Sequence, residues 1–71
     1  MRKCKIFDQS DKEIATILIW EADNHKVGII LQVPYVANEI RDAYLMSVTD
    51  DAIIADLLNK ANLENVKVKC D

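Results

Sequence analysis

The sequence predicts an α+β fold, an antiparallel sheet of about four strands with two helices packed on one face, in the order βββααβ. Three observations carry this prediction. Two apolar runs, residues 14–20 and 27–33, flank a turn dipeptide, Asp23-Asn24, at hairpin spacing. After Pro34 the apolar residues change to helical spacing, first over 35–48 and again from Asp50 onward. The final stretch, 64–71, alternates apolar and charged residues as a half-buried strand does.

The size of the chain limits how it can be stabilised. Its 71 residues make a single compact domain, 1–71, whose one core supplies roughly 3–5 kcal/mol net. At 51% apolar and 30% charged the composition is that of an ordered globular domain and excludes disorder. One Gly and one Pro argue against linkers and against Gly-rich phosphate loops. No run approaches the roughly 18 apolar residues of a membrane span, and no signal-type apolar core follows Met1-Arg2-Lys3, so the expected location is cytoplasmic.

The elements follow in order. Residues 3–7 read as a short strand and Asp8-Gln9-Ser10-Asp11 as a turn; a three-residue loop 9–11 would set Asp8 beside Lys12 and Ile6 beside Ile14. Ser10 and Glu13 have capping-box spacing, which offers a competing helix over 11–24. The β-branched and aromatic content of Ile14, Thr16, Ile17, Ile19 and Trp20 favours a strand. The Asp23-Asn24 hairpin pairs Glu21 with Lys26, Trp20 with Val27, Ile19 with Gly28, Leu18 with Ile29 and Ile17 with Ile30.

Pro34 ends the sheet, and Val36, Ile40, Ala43 and Tyr44 suit a first amphipathic helix over 35–48. Ser47 or Thr49 caps a second helix with Asp50 and Asp51 in its first turn and Ile53, Ile54, Leu57, Leu58 and Ala61 as its buried stripe. Asn62 suits a left-handed C-cap. The last strand turns Val66, Val68 and Cys70 inward and Lys67 and Lys69 outward, and is expected beside the first strand.

Functional expectations rest on the two faces of the hairpin. One face carries Ile14, Leu18, Trp20, Val27, Ile29, Leu31 and Val33, and is expected to be the core, with Cys4 and Ile6 on the same side. The other carries Ile17, Ile19 and Ile30, rimmed by Glu21, Lys26 and Gln32. These six are the expected interface. A chain this short can hardly cover both sides of a doubly apolar hairpin, so the pattern favours a small acidic, non-enzymatic interaction module of the regulator or inhibitor type. It would pair with a second copy or another protein through the sheet face its helices leave uncovered.

Other functions have weaker support. Lys3, Lys5, Lys67 and Lys69 on the terminal strands could bind an anion or a nucleic-acid backbone, or simply keep a sheet edge from aggregating. A net charge of −3, with pI near 5.0, weighs against nucleic acid, and a helix-turn-helix reading fails because the second helix carries Asp50, Asp51 and Asp56 against one Lys60. His25 beside a turn has no carboxylate partner at useful spacing, and adjacent Asp50 and Asp51 point about 100° apart on a helix. No catalytic residue, metal ligand or cofactor is therefore assigned, and Tyr35, Tyr44 and Trp20 are expected to be core or core-edge residues. Cys4 and Cys70 fit neither a zinc site nor a CxxC motif. They could meet if the terminal strands pair, but two reduced core thiols are expected.

Overall fold

A computed structural model of the chain describes residues 1–33 and 38–71, and its clearest local determinant is the Asp23-Asn24 turn. Both residues have positive φ, 47° and 67°, which a tight two-residue hairpin requires and which Asp and Asn accept more readily than other non-glycine residues. The turn joins β2 (Glu13–Ala22) to β3 (His25–Gln32). Their register matches the sequence expectation throughout, from Ala22 opposite His25 to Ile17 opposite Ile30 and beyond.

The remaining elements are β1 (Arg2–Phe7), β4 (Glu39–Leu45), α1 (Asp50–Lys60) and β5 (Lys67–Cys70). All five strands form one antiparallel sheet in the order β4-β3-β2-β1-β5. The α+β class holds, with five strands where about four were expected and, among the described residues, one helix where two were expected. The last strand does lie beside the first.

The first helix expected over 35–48 is corrected for its described part: residues 39–45 are strand β4, paired along the outer side of β3, while 34–37 lie outside the described residues and leave Tyr35 and Val36 without a placement. The spacing of Ile40 and Tyr44 explains the error. Four residues is one turn of a helix and also two full repeats of a strand. Pairing decides between them, because β3 would otherwise present an unpaired edge of backbone N–H and C=O groups.

The β1–β2 connection is bracketed as expected. The Asp8 N–H donates to Lys12 O at 2.9 Å, and the Asp8 carboxylate accepts from the Ser10 and Lys12 N–H groups at 2.8 and 3.0 Å. The register then departs from expectation, because Ile6 pairs with Ala15 and Phe7 with Glu13, leaving Ile14 as the extra residue of a β-bulge. A one-residue slip moves a whole strand's side chains to the opposite face relative to its neighbour. Cys4 and Ile6 therefore share a face with Ala15, Ile17 and Ile19, where the sequence reading had set them with Leu18 and Trp20.

Helix α1 is capped as its sequence dictates. The Thr49 hydroxyl accepts from the Ala52 N–H at 3.1 Å, and Asp50 and Asp51 occupy the first turn, where the helix dipole favours negative charge. At the other end Asn62 has φ 57°, its N–H donates to Asn59 O, and the Leu63 N–H reaches back to Leu58 O. This is the left-handed closure expected there. Ile53, Ile54 and Leu57 form the buried stripe and pack with Cys4, Ile6, Ala15, Ile17, Ile19 and Ile30 into one core.

Cys4 lies directly opposite Cys70, and the two are joined by a disulfide with S–S 2.04 Å, correcting the expectation of reduced thiols. Antiparallel pairing of the terminal strands puts the two residues in register. Cys4 is fully buried and Cys70 partly so.

Candidate interaction surface

The helix settles which face of the sheet is core, and it is the face expected to be free. Ile17 and Ile30 have no exposed surface and Ile19 is 4% exposed, all three sharing the core with α1. These side chains cannot meet a partner. Of their expected rim, Glu21 is exposed, whereas Lys26 turns toward α1, donating to Val48 O at 2.8 Å and to Asp50 Oδ1 at 3.1 Å. Gln32 lines a small cleft with Ile40, Lys60 and Ala61. The six residues lie on the helix side and form no open patch.

One signal in the sequence could have found this. Gly28, the only glycine, lies on the same face as Ile19, with which it pairs, and a glycine within a strand often marks close approach of another element. A Cβ at Gly28 would come within 2.8 Å of Ile53 Cγ2 and 3.1 Å of Leu57 Cδ1. The helix fits there because the position has no side chain.

The opposite face has no covering element among the described residues. Across its centre the pairings place Leu18 beside Ile29 and Trp20 beside Val27, with Thr16 beside Leu31 in the next row. Leu18, Trp20, Val27 and Leu31 are half-buried, and Ile29 is only 6% exposed although it lies outside the helix-side core. Met1, Leu18, Trp20 and Ile29 line a shallow apolar depression. These residues were expected to be core, but α1 covers the opposite face, and of that set Ile14 alone packs against the helix-side core.

The four lysines of the terminal strands do come together on this open face. Lys5 lies opposite Lys69, and Lys3 and Lys67 flank them. Three are already engaged: Lys67 Nζ is 2.8 Å from Asp11 Oδ1, Lys5 Nζ is 3.9 Å from Glu13 Oε1, and Lys69 Nζ stands 5.6 Å over the Phe7 ring. At the far edge β4 presents Glu39, Arg41, Ala43 and the 74% exposed Leu45, with Arg41 Nη2 3.3 Å from Glu39 Oε1.

Two polar clusters lie on the helix side. Asp50 accepts from Lys26 and, at 3.4 Å, from Arg2, and these bonds, that from Lys26 foremost, hold its carboxyl below the usual range. Near the other end of α1, Lys60 pairs with Asp42 and, at 2.8 Å, with Asp56, while the Tyr44 hydroxyl donates to Asp56 at 2.7 Å. Lys60 depresses both carboxyls through its hydrogen bonds. The Ala43 N–H adds to this at Asp42 and the Tyr44 hydroxyl adds to it at Asp56. Burial, then the bond to Asp56, pushes the Tyr44 phenol up, and the bonds to Asp42 and Asp56 push Lys60 up. A phenol held protonated and an ammonium held charged clamp α1 to β4; neither is activated for attack.

Among the described residues no helix is long and apolar enough to cross a membrane. Comparison with known proteins returned no matching family model, no matching curated protein and no matching solved structure.

Proposed function

We propose that this chain is a non-enzymatic interaction module, regulator-like in size and build, whose working surface is the open sheet face, with Leu18, Trp20, Val27 and Leu31 as anchors and the lysines of β1 and β5 as a basic rim. One observation carries the reading: large apolar side chains are contiguous on a face that has no cover among the described residues, in a domain small enough that a second layer of secondary structure would bury them. The double-sided apolar hairpin remains the motive, with the two faces exchanged.

The test is affinity capture with the wild type and with a Leu18→Lys, Leu31→Lys variant shown to be folded by circular dichroism. Specific partners, further copies of the chain included, are expected to be retained by the wild type and lost by the variant. The same partners on both would overturn the reading.

Anion binding by Lys3, Lys5, Lys67 and Lys69 is the second reading, supported by their shared face and weakened by the carboxylates already beside two of them. Binding to single-stranded RNA that falls steeply over a salt series would favour it. As for location, a disulfide persists in oxidising compartments and is rare in the cytosol, so the Cys4–Cys70 bond weighs against the cytoplasmic expectation. Alkylation of thiols in intact cells before lysis decides the point. Blocked, unreactive cysteines support an oxidising location, and two alkylated cysteines support the cytoplasm.

A further inference from the structure

We infer that the partner seated on the open face is a second copy of this chain, related by a two-fold axis that runs parallel to the strands and passes over β2. This rests on the reading of the open face as the working surface. It goes further in naming the occupant and the geometry.

The argument is one of charge placed in register. The row of the sheet that begins at Lys69 on β5 crosses Lys5, Thr16 and Leu31 and ends at Glu39 on β4. The next row begins at Asp71, whose N–H donates to Lys3 O at 3.1 Å, crosses Lys3, Leu18 and Ile29 and ends at Arg41. The outer ends of the two rows thus carry opposite charges in opposite order, with Lys5 and Lys3 inside them on β1. β2 is the middle strand of the five.

A two-fold axis over β2 reverses each row upon its own copy. Lys69 then meets Glu39 of the second molecule, Asp71 meets its Arg41, and Leu18 and Trp20 lie near the axis against their counterparts. A closed dimer requires a patch that complements itself in this way. An axis across the strands would instead stack the lysines of β5 and β1 on the same lysines of the other copy, which like-charge repulsion disfavours. The arrangement is an aligned sheet-on-sheet packing with the two layers about 10 Å apart. Five strands about 4.8 Å apart, each presenting about 20 Å of length, give a footprint of roughly 500 Å², below the roughly 800 Å² per partner of a standard interface. The expected association is therefore in the micromolar range.

Sedimentation equilibrium on the oxidised chain from micromolar to millimolar concentration tests this. It should be run for the wild type, Lys69→Glu, Glu39→Lys, the double exchange Lys69→Glu with Glu39→Lys, and Leu18→Lys. A wild-type dimer is expected, weakened about tenfold by either single reversal, restored to within about threefold by the double exchange, and abolished by Leu18→Lys. A dimer whose single variants are not rescued by the double exchange overturns the two-fold geometry. A wild type that stays monomeric at millimolar concentration overturns the second copy as occupant and leaves the interaction reading to stand or fall on the capture experiment. A dimer untouched by Leu18→Lys overturns both.

Discussion

At the scale of single residues, two positions account for how the helix sits on the sheet. Gly28 lets α1 approach the sheet closely, so a methyl group there must displace Ile53 and Leu57. Overpacking of this kind costs about 1–3 kcal/mol, and Gly28→Ala is expected to lower the stability measured by urea unfolding by that amount. A strand glycine replaced without such crowding would gain from the change, so the sign of the effect is diagnostic. Tyr44 is the second position. Its phenol and the Lys60 ammonium both have raised folded-state pKa values, so the stability they contribute is fully present below their unfolded values, near 10, and is lost as pH rises through the folded ones. Unfolding followed above pH 10 should show that loss, and Asp56→Asn should bring the tyrosinate titration of Tyr44 back toward its ordinary value.

At the scale of elements, turn chemistry and capping were the legible part of the sequence. Asp23-Asn24 fixed the central hairpin and its register, and Thr49 and Asn62 marked both ends of α1. Replacing the capping hydroxyl, Thr49→Ala, should cost about 1 kcal/mol in thermal or urea unfolding, since it leaves the Ala52 N–H without its partner. The rest was hidden for two physical reasons. Ile40 and Tyr44 satisfy helical and strand periods equally, and only the open edge of β3 selects between them. The bulge at Ile14 leaves no sharp mark in sequence, because any residue can be the extra one, yet its effect is large. It moved Cys4 and Ile6 to the face of Ile17 and Ile19, which α1 covers, so the residues singled out as interface are core and the expected core is the candidate surface.

At the scale of the whole molecule, the Cys4–Cys70 bond ties the two terminal strands together covalently. It closes a loop spanning 66 residues, and constraint of the unfolded chain at that length stabilises by about 2–4 kcal/mol, comparable to the roughly 3–5 kcal/mol a core of this size supplies. Adding reductant should therefore lower the midpoint of urea unfolding steeply, and a Cys4→Ser, Cys70→Ser variant should match the reduced protein. The same bond makes nearly the whole chain a covalent ring, with the two ends emerging together from adjacent strands at one side of the sheet. A protease that nicks one exposed turn, such as the segment around Ser10, would yield fragments that still migrate as a single species without reductant and part only when the sulfurs are reduced.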